Sequence, residues 1–453
     1  MNPNRLRRRS FRAAFFVLGL GLAAPAVAGG AAKALHATLL RSTPAADARL
    51  TTAPRSIRLV FSEPIVAELS RIVLTGPEGR AENIPVVLDA AGANTLVGSL
   101  PALPNGQHLV AWRIVSADGH PVSGRFSFSL AQAGLDSALF PPLIPEVPAT
   151  RTDSTSAALV SGDDEGRPVP KVASLLRGLG LGAMMAGVGL LFFGSAARNR
   201  RNLDPASIAT RFLGFGAVLL AAHMGAWLYH ISPGAGLSGT FGFSALKSTP
   251  GIVESARVVL AFLAFWAMAK GKRGLALFFG LACLIVSGAV GHSAAIDPLL
   301  AIPAKSAHLI GAAIWMGGLV WLGWTFRRDI TAFRIEARRV SSAALIAFIV
   351  VAGSGLAQTL IFLDLPDLFS TDYGRTVLGK ITGLLILMLL GGYNRFRLVP
   401  NLDDSRKGRK LSRSATQGLL VMLALVLISG VLANIPVPKR PAGPNTGPVF
   451  PGS

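Results

Sequence analysis

Cysteine is almost absent from this chain. Of 453 residues only Cys283 is one, and it lies within an apolar run. An intrachain disulfide, a CxxC redox pair and a thiolate cluster are therefore excluded, and any metal must be held by His, Met, carboxylate or backbone groups. Acidic residues are scarce too: 23 Asp and Glu against 44 Lys and Arg give a net charge of +21. A nucleic-acid partner would gather that charge into one basic stripe, whereas here the basic residues alternate with long apolar runs, so we read them as topology signals and expect no nucleic-acid partner. What the chain has in quantity is apolar residues. A hydrophobic fraction of 51% and a mean hydropathy of +0.52 are too high for a string of soluble domains, so most of the chain is expected in a lipid bilayer.

The amino terminus reads as an export signal over residues 1–35. Arg5, Arg7, Arg8, Arg9 and Arg12 precede an apolar stretch from Ala13 to Ala24, and small residues follow, with cleavage points after Ala28 or Ala34. Residues 36–130 then change character. Ile57-Arg58-Leu59-Val60-Phe61, Arg71-Ile72-Val73-Leu74 and Phe126-Ser127-Phe128-Ser129-Leu130 alternate with period two between Pro and Gly turns, the pattern of a small antiparallel β-sandwich. Residues 131–170 are rich in Pro, Ser, Thr and Asp and read as a flexible linker. About 40 such residues have an r.m.s. reach on the order of 35 Å.

From 171 to 436 the chain carries apolar segments near 172–195, 208–230, 251–269, 274–292, 302–325, 341–363, 376–396 and 414–435. Each approaches the roughly 20 residues that span a bilayer as a helix, which predicts an all-α bundle of about eight transmembrane helices, followed by a disordered tail at 437–453. Arg and Lys concentrate after spans one, three, five and seven, from Arg198, Arg200 and Arg201 through Arg327 and Arg328 to Arg413, and the other connections hold little beyond Lys247, Lys305 and Arg375. Short basic loops stay cytoplasmic. The exported β-domain requires the same topology.

Candidate ligands fall in two groups. Asp118 and His120, two apart just after a strand, project to one side of extended backbone and can converge on one ion, and nitrogen with carboxylate oxygen suits Cu(II). On spacing alone, such a pair is more often a solvated turn. His108 shares a strand face with Val110, Trp112 and Ile114 and reads as a packed side chain. In the apolar half, His223, His230, His292 and His308 fall in the outer halves or mouths of their spans, and ionisable groups at that depth are costly unless used. His223 and His230 share one helix face about 10 Å apart. Met184, Met185, Met224 and Met316 lie in the same spans and offer thioethers for Cu(I), although core packing explains such residues equally well. Gly374 to Lys380 spells Gly-x4-Gly-Lys, but Ile381 stands where Ser or Thr is needed and the stretch opens a membrane helix, so it is not read as a nucleotide site.

His36-Ala37-Thr38-Leu39-Leu40-Arg41-Ser42-Thr43-Pro44, then Phe61-Ser62-Glu63-Pro64, then Ser116-Ala117-Asp118-Gly119-His120-Pro121-Val122-Ser123-Gly124, resembles the CopC copper-resistance family in order and spacing. The resemblance implies an immunoglobulin- or cupredoxin-like sandwich with His36, Asp118 and His120 as Cu(II) ligands and Glu63 as a candidate neighbour. Neither cleavage point leaves His36 first, which puts ligation by the terminal amine in doubt. The methionine-rich Cu(I) site of some members is not expected, since no methionine occurs between Met1 and Met184. Residues 171–435 resemble the CopD family through Ala307-His308-Leu309-Ile310-Gly311-Ala312-Ala313-Ile314-Trp315-Met316-Gly317-Gly318-Leu319, Thr371 to Lys380, and Asn394-Arg395. Together they imply a non-enzymatic copper protein of the inner membrane. Its sandwich lies in the periplasm, its bundle relays copper inward, and periplasmic copper chaperones are expected partners. Two alternatives stay open: a membrane redox protein with b-type haem between histidine pairs, and a copper buffer or sensor without transport.

Overall fold

The computed structural model describes residues 37–90, 92–117, 119–131, 169–196, 204–232, 239–291, 293, 297–433, 435 and 438. The expected leader, nearly all of the linker and tail, and the candidates His36, Asp118 and His292 lie outside the described residues.

Two sheets form from the alternating segments. One has the order β1-β3-β7-β6, from Leu39–Thr43, Ser56–Phe61, Gly92–Ser99 and Val86–Asp89; the other runs β2-β9-β8-β4-β5, from Arg49–Leu50, Pro121–Leu130, Gly106–Ser116, Ile65–Thr75 and Ala81–Ile84. Period two is visible in β3, where Ile57, Leu59 and Phe61 are buried and meet Ile72, Leu74, Val110, Trp112, Ile114 and Phe128 from the facing sheet. Trp112 stands edge-on to Phe61, ring centroids 5.1 Å apart. Its neighbour across the β8–β9 ladder is Gly124, where a Cβ would lie 2.4 Å from Trp112 Cζ2, so only glycine fits there. That ladder ends at Val115 and Pro121, and Ala117, Gly119 and His120 lie in the turn between the two strands.

The helical half contains α1 (Val169–Ala196), α2 (Ala206–Ile231), α3 (Gly239–Lys247), α4 (Thr249–Ala269), α5 (Arg273–Gly288), α6 (Pro298–Arg328), α7 (Ile330–Phe362), α8 (Asp367–Ser370), α9 (Asp372–Tyr393) and α10 (Ser405–Leu432). Seven of these, all but α3, α5 and α8, are long and apolar enough to cross a membrane. The sequence predicts about eight. The shortfall is α5: it stops at Gly288 after 16 residues, about 24 Å of helix, short of the roughly 30 Å hydrocarbon core. Gly291, at a φ of +79°, lies in the turn that follows.

The loops around 329 and 404 also differ from expectation. Asp329 accepts hydrogen bonds from the Thr331 and Ala332 amides and starts α7 one residue after α6 ends, so Arg334, Arg338 and Arg339 sit on a helix. Asp404 caps α10 in the same way through the Arg406 amide. Basic residues read as loop markers are thus helical extensions beyond the apolar segments. α1 packs against α2, α5, α6 and α10 at the centre of the bundle. It crosses α6 where Gly189 meets Gly317: a Cβ on Gly317 would lie 2.3 Å from the Gly189 backbone.

Candidate functional site

Three chain segments meet at Glu63. The Thr38 amide donates to Ser62 Oγ at 2.9 Å and the Ser62 amide to the Thr38 carbonyl at 3.0 Å, so the stretch that follows His36 is pinned beside residue 63. On its other side, the Ala117 amide donates to the Pro64 carbonyl at 2.8 Å and brings the hairpin turn alongside. Within the turn, the Gly119 amide bonds the Ser116 carbonyl at 2.8 Å, while the His120 carbonyl accepts from the Ser116 amide at 2.9 Å and the Ser116 hydroxyl at 3.0 Å. Glu63 and His120 are both half-buried. The backbone therefore carries Thr38 and Ala117 to the two sides of Glu63, with His120 at the end of the same turn.

His108 is no part of that group. It is 1% exposed, its Nε2 is 2.8 Å from the Pro104 carbonyl, and its ring stacks on Phe128 at 5.2 Å.

The turn rests on the bundle. Trp227, one turn before the end of α2, donates from Nε1 to the Gly119 carbonyl at 3.0 Å. Gly119 has a φ of +90°, and a Cβ there would lie 3.0 Å from that same indole nitrogen and 3.9 Å from Pro250. Left-handed backbone and close approach together require glycine at this position. Arg113 of β8 donates to the carbonyls of His230 at 3.3 Å and Ile231 at 3.4 Å, satisfying acceptors that the helix end leaves over and placing a cation at its negative pole. Arg71 faces Arg113 across the β4–β8 ladder; burial, then the neighbouring Arg113 charge, lower its pKa from the ordinary guanidinium value. Val66, Leu69 and Val115 of the sandwich join Ile231 and Ala245 of the bundle in one apolar cluster with Trp227, Leu228 and Phe241. None of this contact was foreseen; Trp227 and Arg113 are unremarkable until residues 108 apart in sequence are brought together.

Inside the bundle, the histidines go to different places. His223 is buried, with Nδ1 3.0 Å from the Ala173 carbonyl of α1 and Nε2 3.7 Å from Glu254 Oε1 of α4. Glu254 also pairs with Arg257, one helical turn on, and both are buried, at 4% and 1% exposure. The Cys283 thiol contacts the Arg257 carbonyl at 3.5 Å. Sequence reasoning passed over Glu254 and Arg257, although the rule that singled out the histidines applies to any ionisable residue in an apolar span. His308 of α6 turns to α7, its Nδ1 3.1 Å from both the Val351 carbonyl and Ser354 Oγ. His223 and His308 therefore belong to different helix contacts, and the described residues contain no group of three or more His, Cys, Asp or Glu able to hold a metal.

Met184, Met185 and Met316 are buried members of the main core cluster, and a Cβ on Gly216 would lie 2.9 Å from Met184 Sδ, so these thioethers pack helix against helix. Lys380 is half-buried on α9, and the Gly374–Lys380 stretch is helical throughout, unlike a phosphate-cradling loop.

Comparison with known proteins agrees with this division. The CopC domain family matches residues 39–131, and the family described as Copper resistance protein D matches 335–432. The copper transport protein CutJ of Bacillus subtilis (strain 168) is 26% identical over 445 residues, 90% of this chain and 75% of that protein. Protein YobA of Escherichia coli (strain K12) is 34% identical over 124 residues, 27% of this chain and 95% of its own length. Copper resistance protein C of Escherichia coli is 32% identical over 103 residues, 21% of this chain and 81% of its own.

Proposed function

Because the chain belongs to the copper-resistance and copper-transport family, with a CopC domain and a CopD domain in one polypeptide, we propose that its sandwich captures Cu(II) outside the cytoplasm and its bundle passes copper inward across the membrane. His36, Asp118 and His120 hold the captured ion, with Glu63 at its side. The observation that carries the reading is the Trp227 bond to Gly119, which seats the copper-binding turn on the end of α2. That helix bears His230 at its last turn and His223 about 10 Å deeper, a path that starts where the capture site rests. His292 and His308 are further stations of the relay; use of the Met184, Met185 and Met316 thioethers requires that a one-electron reductant outside this chain first convert the captured Cu(II) to Cu(I). The inside-negative potential supplies about 2.3 kcal/mol per charge per 100 mV, so inward movement needs no nucleotide-driven motor.

The test is copper uptake by sealed vesicles containing the purified chain. At limiting copper, His120→Ala and His223→Ala are each expected to slow uptake about tenfold or more, an effect of at least about 1.4 kcal/mol. Native rates in both variants would remove the reading.

A further inference from the structure

The bundle carries a layer of basic side chains that the copper path does not use. Arg177 of α1, Arg257 of α4 and Lys380 of α9 each lie eight residues from the start of their helix, and Lys305 lies seven from the start of α6. That is a common depth of about 11–12 Å, well inside a hydrocarbon core. The packing agrees with the shared level. Lys305 donates from Nζ to the Val290 carbonyl just past the end of α5, and the Arg177 guanidinium is beside Gly291 of the same turn, where a Cβ would lie 3.7 Å from its nearer nitrogen. The charges acting on Lys305 come from Arg177, Arg257, Lys380 and Glu254. Four cations are thus grouped with one carboxylate among the described residues. Both oxygens of that carboxylate are already engaged, Oε2 with Arg257 and Oε1 toward His223. The carbonyl end of α5 supplies about half a negative charge, which still leaves the layer strongly positive. Arg257 is 1% exposed and its Nε has no hydrogen-bond partner. A guanidinium N–H closed to water calls for an acceptor that the chain does not provide.

We infer that the bundle binds a small oxyanion, a carboxylate or a phosphate, among Arg257, Lys305 and Lys380. The planar guanidinium matches the paired oxygens of either group. Lys305 gives one of its three donors to Val290 and keeps two, and Lys380 brings a third cation from a separate helix. A metal cation is the wrong occupant, since the layer repels it and the described residues hold no group of three His, Cys, Asp or Glu to bind it. An anion held here removes the repulsion that the layer exerts on a copper ion at His223. The site nevertheless stands whether or not copper takes that path.

The experiment uses the full chain in a maltoside detergent, which brings no phosphate of its own. Binding of radiolabelled acetate and of inorganic phosphate is measured by equilibrium dialysis at constant ionic strength. Saturable binding of one oxyanion per chain is expected, and the tighter of the two probes identifies the class. Lys305→Gln and Lys380→Gln are each expected to weaken it about tenfold or more. Lys380→Arg keeps it, and Lys247→Gln, at an exposed lysine of α3, binds as the native chain does. Ligand-free thermal midpoints of the two glutamine variants are expected at or above the native value, because each removes one of several like charges. Midpoints that fall in both would contradict the crowding of positive charge. Absence of saturable binding, or binding that survives both glutamine substitutions, overturns the inference, and chloride competing as well as the two probes overturns the oxyanion assignment.

Discussion

Glu254 and Arg257 are an acid and a base paired in the interior of the bundle, at 4% and 1% exposure, and their effect on stability is set by what each does to the other. A charge without its partner in a low-dielectric interior costs far more than a hydrogen bond, and removing one member of a buried pair typically costs about 3–5 kcal/mol. Glu254→Leu and Arg257→Met are each expected to lower the thermal midpoint of the detergent-solubilised chain sharply. The double variant, which removes both charges, is expected to regain most of the loss; a double variant as unstable as the sum of the singles would show that the pairing is not what stabilises these residues. Gly119 makes a second residue-scale case. Gly119→Ala adds a Cβ 3.0 Å from the Trp227 indole in backbone at a φ of +90°. The backbone alone contributes strain on the order of 1–3 kcal/mol. The expected outcome is loosening of the turn from α2, read as faster hydrogen exchange at the indole N–H of Trp227 with the sandwich strands still protected.

Between elements, the bundle is held most closely at the crossing of α1 and α6. Gly317→Leu forces a side chain into the Gly189 backbone and is expected to abolish accumulation of folded protein. Gly323→Ala on the same helix, with nothing within 4 Å of the added carbon, is expected to be neutral. Comparable yields of the two variants would contradict the close crossing. The sequence does not pair Gly317 with Gly189, because glycine spacing within one helix does not say which partner it meets. The strands were legible, since the alternation in Ile57 to Phe61 is a local pattern with a period of two. The helical spans were legible for the same reason, their apolar stretches being continuous. Their ends were less so: Arg334, Arg338 and Arg339 look like loop residues by charge, yet one cap at Asp329 is enough to continue the helix into the polar region. Least legible of all was the seam between sandwich and bundle, because Trp227 and Gly119 carry no local mark of one another. In the candidate copper site, the Asp-x-His spacing was readable, whereas the meeting of three segments at Glu63 depends on bonds from Thr38 and Ala117 that no pattern announces.

At the scale of the whole molecule, charge is distributed by end. The sandwich rests against the end of α2 and the start of α4, so one end of the bundle is the sandwich end. The opposite end holds the Arg273–Asp204 contact at 2.5 Å between the α1–α2 and α4–α5 connections, and the Arg334–Asp403 contact at 3.6 Å between α7 and the turn before α10. Arg395 and Arg397 lie in the segment joining α9 to α10, and the basic run from Arg406 to Arg413 lies in the first turns of α10 at that end, so the lysine and arginine excess and the sandwich lie at opposite ends of the bundle. Basic connections are retained in the cytoplasm, and on that rule the turn proposed to capture copper is expected outside. The native chain is suited to a labelling test because its one thiol, Cys283, is fully buried. Leu365→Cys, at a position 76% exposed between α7 and α9, reports on the sandwich end; Asp403→Cys, at a side chain 95% exposed, reports on the basic end. In sealed right-side-out vesicles, a membrane-impermeant maleimide is expected to label the first at once and the second only after permeabilisation. Labelling in the reverse order would put the capture turn inside the cell, where it could not receive copper from outside, and the direction of transport proposed for this chain would have to be abandoned.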